Sequence, residues 1–284
     1  MIPARFDYHR PGDIPAALAI LDEHGDEARV IAGGHSLIPM MKLRMADLAH
    51  LIDLQDIAEL RGIRVEGETI TLGAMVTQHE LITDAALSEA APLVREAALQ
   101  IADPQVRYCG TVGGNVANGD PGNDMPGLMQ ALDATFHLAG TGGARDVPAR
   151  DYYEAAYMTA REDDEILTAM SFDAPAGGYA YEKQKRKIGD YATAACAALV
   201  EMEGGTCRAA SIAMTNLSDT PVWSEAAGQA LVGTACDAAA ISAAVDAAQG
   251  DIDPTEDNRG PVDFKRHVAG IMIRRAIERA VSRA

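Results

Sequence analysis

An α+β fold follows from two features of the 284-residue chain. Helical and strand-like segments are interleaved, yet they do not form a regular β-α-β-α series. A long β-hairpin pattern near residue 200 is followed by three helical segments that finish the chain. Taken in order, Asp13 is placed to cap a helix running to about His24, with Pro15 in its first turn and Gly25 at its end. ARVIA (28–32) reads as a buried strand, LIPMMKLR as a short helix limited by Pro39, and HLIDL (50–54) as a strand. GIRVEGETITLGAM (62–75) predicts a hairpin turning at Gly67, and helices are expected over 77–83 and 86–101. MPGLMQALDA reads as a helix capped by Asp124, and 135–139 and 164–173 read as strands. APAGG (174–178) marks a domain boundary. Beyond it, ATAACAALVEM and CRAASIAMTNL flank EGG as a long hairpin, and helices are expected near 223–231, 237–248 and 262–282.

Composition excludes several functions. A net charge of −18 opposes binding to a phosphate backbone, so nucleic acid is not a partner. The cysteines at 109, 196, 207 and 236 form no C-x-x-C, so neither a zinc knuckle nor an iron–sulfur site is encoded. No run reaches membrane-spanning length and the N-terminus lacks an apolar signal core, so the chain reads as cytosolic. G-x-G-x-x-G, Walker A and H-E-x-x-H patterns are all missing. Gly34-His35-Ser36 starts like a nucleophile elbow, but Ile38 stands where the second glycine belongs.

Two glycine-bearing loops remain. AGGHS (32–36) leaves a strand and enters a helix that Ser36 is placed to cap; GTVGGN (110–115) precedes an Asp-rich stretch. Each can turn backbone N–H groups toward one point, as anion-binding nests do, and two nests facing each other would suit a diphosphate. Asp120, Asn123 and Asp124 are candidate acceptors for sugar hydroxyls. The run from Lys183 to Lys187 holds four cations in five positions, and reads either as a solvated loop or as a local anion site.

AGGHS, TVGGN and the following D-x-x-x-D-M-P together resemble the flavin-binding subunit of the molybdenum hydroxylases, which include xanthine dehydrogenases and aerobic carbon monoxide dehydrogenases. The strings CGTVGGNVANGDPGNDMPGLMQAL, ARDYYEAAYMTA and YAYEKQKRKIGDYATAA look most like the medium subunit of the carbon monoxide branch. The resemblance implies a two-subdomain FAD-binding fold of the vanillyl-alcohol-oxidase type over 1–176, with subdomains of about 1–55 and 56–176. A smaller α+β domain with a three-stranded antiparallel sheet would fill 177–284. It implies that Ala32, Gly33, Gly34, His35 and Ser36 hold the FAD diphosphate from one side, and that Thr111, Val112, Gly113, Gly114 and Asn115 close from the other. Asp124 would meet the flavin's polar chain or ring, Tyr191 would lie against the isoalloxazine, and Lys183 would approach from the C-terminal domain. The implied partners are a large molybdopterin subunit and a small subunit with two [2Fe–2S] clusters, in a dimer of heterotrimers. Electrons from oxidation of carbon monoxide by water would reach FAD and then a quinone or other acceptor. An aldehyde or N-heteroaromatic substrate, or a flavin-free scaffold, are the alternatives. A peripheral place on the inner membrane face, through partners, is compatible with this role.

Overall fold

The computed structural model describes residues 2–284. The chain begins with a three-stranded parallel sheet of order β1-β3-β2, built from β1 (Asp7–His9), β2 (Ala28–Ile31) and β3 (His50–Asp53). Between them lie α1 (Ile14–His24) and α2 (Leu37–Lys42). As expected, Asp13 caps α1, its Oδ1 accepting the Ala16 N–H at 2.8 Å, and Gly25 ends it at φ +49°. The edge strand β1 was not expected, because three polar or half-exposed residues carry no apolar period. Ser36 occupies the N-cap position of α2 but accepts no amide, so its expected capping role is corrected.

A five-stranded antiparallel sheet follows, of order β4-β5-β10-β6-β7. Its strands are β4 (Ile63–Glu66), β5 (Thr69–Gly73), β6 (Thr135–Gly140), β7 (Gly143–Pro148) and β10 (Glu165–Asp173). A small hairpin, β8 (Tyr153–Ala155) with β9 (Met158–Thr159), interrupts it. The helices are α3 (Gln78–Thr83), α4 (Ala85–Ala90), α5 (Pro92–Ala98), α6 (Pro104–Cys109), α7 (Val112–Ala117) and α8 (Asp124–Ala131). The single helix expected over 86–101 is thus two. Pro92 has no N–H to continue α4, and Ala91 before it leaves the helical region at φ −141°, ψ 68°.

At the rim of this sheet Arg145 grips Glu165 through both oxygens, Nε–Oε1 at 2.6 Å and Nη2–Oε2 at 2.7 Å. The Arg145 hydrogen bond, helped by the Glu162 N–H, holds this carboxyl below its ordinary 4.5. A depressed carboxylate contributes stability above its unfolded pKa and loses it as pH falls through the folded value. Glu165→Gln should therefore lower the thermal midpoint at neutral pH and flatten its acid limb below pH 4.5, which melting curves across pH would show.

The remaining chain forms a four-stranded antiparallel sheet, β11 (Gly178–Gln184), β12 (Ala194–Glu203), β13 (Thr206–Thr215) and β14 (Val222–Trp223), in that order. Three strands were expected. The fourth is two residues long, tied by the Trp223 indole N–H to Ser211 Oγ at 3.1 Å and covered by the Arg150 guanidinium 3.7 Å from the ring. The helix expected from 223 consequently starts later, as α9 (Glu225–Leu231), with Ser224 as its cap. Helices α10 (Ala238–Asp251) and α11 (Val262–Val281) complete the chain.

Alternation along β12 explains how this sheet joins the rest. Ala195 and Ala197 face the large core shared with α5 and α8, whereas Ala194, Cys196 and Ala198 face the core made with α9–α11. Small side chains let helices approach both faces. At Gly127 of α8, an added Cβ would lie 3.2 Å from the Met214 carbonyl oxygen. This packing brings the end of β11 against the start of α8.

Candidate functional site

A cleft of about 1010 Å³ opens where the parallel sheet, the α6–α8 region and the end of β11 meet. Ala32, Gly33, Gly34, His35 and Ser36 line one side. Thr111, Gly113, Gly114 and Asn115 line the other, and Asp124, Lys183 and Tyr191 lie along it. Of the expected residues Val112, fully buried in the large core, and Asp120 do not line it.

The two glycine motifs touch each other. A Cβ on Gly33 would run into the Cys109 carbonyl oxygen and lie 2.7 Å from Gly110 Cα. Gly34 sits at φ +72°, a conformation that L side chains resist. The N–H groups of Gly33, Gly34, His35 and Ser36 meet no acceptor among the described residues, so this motif has the free donors of an anion nest.

The second motif differs from expectation. TVGGN is the N-cap and first turn of α7 rather than a loop, and the amides of Val112 to Asn115 already have partners. Val112 N–H donates to Val76 O at 2.8 Å and Gly113 N–H to Ala74 O at 2.9 Å. Gly114 N–H donates to Thr111 Oγ1 at 3.0 Å and Asn115 N–H to Thr111 O at 3.1 Å. The two-nest picture is corrected accordingly: one motif has free amides, and the other gives a close, bare surface opposite. Its glycines serve packing, since a Cβ on Gly113 would lie 2.5 Å from Ala74 Cβ.

Asp124 does not cap α8. Asn123 holds the N-cap position, and Asn115 Oδ1 accepts the Met125 N–H at 3.2 Å from ten residues upstream. Asn123 Nδ2 in turn donates to Asn115 O at 2.8 Å. Relieved of capping, the Asp124 carboxylate accepts Tyr181 O–H at 2.5 Å and Lys183 Nζ at 2.7 Å. The pair is deeply buried, with side-chain exposures of 1% for Lys183 and 5% for Asp124. Burial, and then the Asp124 charge, push the Tyr181 hydroxyl well above its ordinary range, so it remains a donor. Lys183 therefore is no solvated-loop residue, and much of its charge is balanced by Asp124. The rest of the cationic run divides: Lys185 Nζ donates to Gln100 Oε1 at 2.9 Å, Arg186 pairs with Asp190 at 2.9 Å, and Lys187 is exposed.

Tyr191 stands at the cleft mouth, half-exposed. Gly122 lies under its ring, where a Cβ would come within 3.0 Å of Cδ1, and the Arg259 guanidinium is 5.5 Å from its centroid. Burial, followed by the Asp120 charge, pushes its hydroxyl up to about 12, so it is a neutral phenol at physiological pH. Asp120, whose Oδ1 accepts the Gly122 N–H at 2.9 Å, is not among the residues that line the cleft. Gly119 accepts the Tyr157 N–H at 2.8 Å, and Tyr157, held at φ +60°, adds a second aromatic wall. Tyr181 and Tyr157 were missed in the sequence. The period of two along β11 places Tyr181 on the face of Lys183 and was the available signal; nothing local marks Tyr157.

Family models cover almost the whole chain. Residues 4–173 match the FAD binding domain in molybdopterin dehydrogenase, and residues 179–280 match the CO dehydrogenase flavoprotein C-terminal domain. The carbon monoxide dehydrogenase medium chain of Afipia carboxidovorans is 56% identical over 286 residues, covering 100% of this chain and 99% of that one. That of Hydrogenophaga pseudoflava is 46% identical, with 100% and 99% covered. A solved structure of the cyanide-inactivated Cu,Mo-CO dehydrogenase contains a chain that superposes with a TM-score of 0.98 at 56% identity, both fully covered. With both glycine motifs meeting in one cleft and both family models matched in order, the chain belongs to the FAD-binding molybdopterin dehydrogenase family that carries the CO dehydrogenase flavoprotein C-terminal domain.

Proposed function

We propose that this chain is the FAD-carrying electron-transfer subunit of a three-subunit molybdenum hydroxylase that oxidises carbon monoxide. The observation that carries the reading is the full-length likeness to carbon monoxide dehydrogenase medium chains, centred on a cleft large enough for a dinucleotide. The chain divides at 176/177 into an FAD-binding domain, of subdomains about 1–55 and 56–176, and a C-terminal domain. Its partners are a large molybdopterin subunit and a small subunit with two [2Fe–2S] clusters, assembled as a dimer of heterotrimers. A quinone or other acceptor takes the electrons, at a peripheral place on the inner membrane face reached through partner proteins; among the described residues no helix is long and apolar enough to cross a membrane.

Bound FAD would supply the capacity to take up and pass on electrons singly or in pairs. The free amides of Gly33 to Ser36 hold the diphosphate without needing a lysine, and Ala32 supports that turn. Thr111, Gly113, Gly114 and Asn115 approach from the opposite side, with Val112 fixing their turn from the core. Tyr191, at the cleft mouth, would lie against the ring and limit solvent there. Asp124, pinned by Tyr181 and Lys183, is a fixed carboxylate rather than a mobile one, and Lys183 would supply positive charge to the bound flavin from the C-terminal domain.

Co-production of this chain with its two partners, followed by release of bound cofactors, tests the proposal. One FAD per copy of this chain is expected beside molybdenum and iron–sulfur centres. Recovery of those centres without flavin would overturn it.

A further inference from the structure

Away from the cleft, three histidines converge on one face of the parallel sheet. His9 ends β1, His24 ends α1 and His50 begins β3. All three are half-buried, and one ring nitrogen of each lies within 4.8 Å of the other two. His9 Nε2 and His50 Nδ1 are 3.0 Å apart. The His24 and His50 rings stack with centroids 3.6 Å apart and planes 5° from parallel, whereas the His9 ring stands 5.3 Å from His50 and 5.9 Å from His24.

Two imidazole nitrogens bound to one ion at about 2.0–2.1 Å stand about 2.9–3.4 Å apart for angles between square and tetrahedral. The His9–His50 pair already has that spacing. Apart from it, no hydrogen bond ties any of these ring nitrogens to another described residue. His24 also occupies the last turn of an eleven-residue helix, where the backbone dipole favours positive charge. Neutral imidazoles arranged in this way suit borderline divalent ions, while magnesium and calcium select oxygen donors.

We propose that His9, His24 and His50 form a binding site for a divalent transition metal of the zinc, nickel or copper class, with water completing the coordination. Binding displaces the proton shared between His9 and His50 and opens the His24–His50 stack, since rings that radiate from one ion cannot lie face to face. His50 is paired with Asp7 and Ala28 and His9 with Ile52, and none of the three histidines lines the cleft. The metal therefore clamps β1, α1 and β3 together without entering the cleft, and its effect is on the stability of this sheet.

The test uses the full chain without a histidine tag, stripped with chelator and dialysed against zinc. Metal analysis should find one zinc per chain, and the thermal midpoint should rise by on the order of 5 °C at a hundredfold excess over Kd. With copper(II), electron paramagnetic resonance should show nitrogen hyperfine structure. His24→Gln should weaken zinc binding at least about tenfold, and His9→Gln/His24→Gln/His50→Gln should abolish it. His137→Gln, at a histidine bonded to Asp146 and Ser171, should leave zinc binding unchanged. Flavin content should be the same in all of them. Less than about a tenth of an equivalent of zinc on the wild-type chain, or equal binding by wild type and either variant of the cluster, would overturn the proposal.

Discussion

Gly33→Ala should strip the chain of FAD. The new methyl group would run into the Cys109 carbonyl oxygen and stand 2.7 Å from Gly110 Cα, both of them backbone, so no rotamer change relieves the overlap. The two motifs must part, and the amides of Gly33 to Ser36 then turn away from the surface opposite. Overpacking of this kind costs about 1–3 kcal/mol where side chains can yield, and the upper end is expected where only backbone can move. Flavin retention after gel filtration should fall at least about tenfold, the equivalent of about 1.4 kcal/mol. Gly142→Ala is the matched control. Nothing lies within 4 Å of its added Cβ and its φ is not positive, so FAD content should stay at one per chain. Equal flavin in Gly33→Ala would mean that the diphosphate does not depend on the contact between these motifs. Gly114 is a less direct probe: its Cβ would lie 2.8 Å from Thr111 Oγ1, so a substitution there disturbs the α7 cap before it reaches any ligand.

The fold was most legible where burial imposes a period. Apolar runs marked β2, β3, β12 and β13, and caps at Asp13 and turns at Gly67 fixed element ends locally. Strands with little to bury left no such mark. β7 is exposed along nearly its whole length, and β1 and β14 are short edge strands held by their neighbours rather than by their own side chains. The site showed the same division. Both glycine motifs were visible because bare backbone is costly to keep. Their separate roles were not, because the Val76 and Ala74 carbonyls that occupy two of the second motif's amides come from a segment distant in sequence. Asp124 was misread for a similar reason. Spacing alone makes it a helix cap, but Asn123 holds the N-cap position and Asn115, brought in by the turn of α7, accepts the Met125 N–H.

Asp124→Ala should be among the most destabilising substitutions in the chain, and the reason can be isolated. It leaves the Lys183 ammonium, 1% exposed, without its carboxylate, and the Tyr181 hydroxyl without its acceptor. Removing one member of a buried ion pair costs about 3–5 kcal/mol, because the survivor must stay charged in a poorly solvated place or give up its proton. In a chain of this size that corresponds to a fall in thermal midpoint on the order of 10 °C. Adding Lys183→Met should recover part of the loss, since the thioether fills the aliphatic path of the lysine and leaves no orphan charge. A double-mutant cycle on melting midpoints should therefore be strongly non-additive, with Asp124→Ala/Lys183→Met more stable than Asp124→Ala alone. Additivity would mean that Asp124 stabilises the chain through some other contact. Flavin content separates the structural role from the binding role. Lys183→Met alone, which keeps the carboxylate, is the reference: if Asp124 contacts the cofactor directly, the double variant holds less FAD than Lys183→Met; if the carboxylate acts only by holding Lys183 and Tyr181, the two hold the same amount.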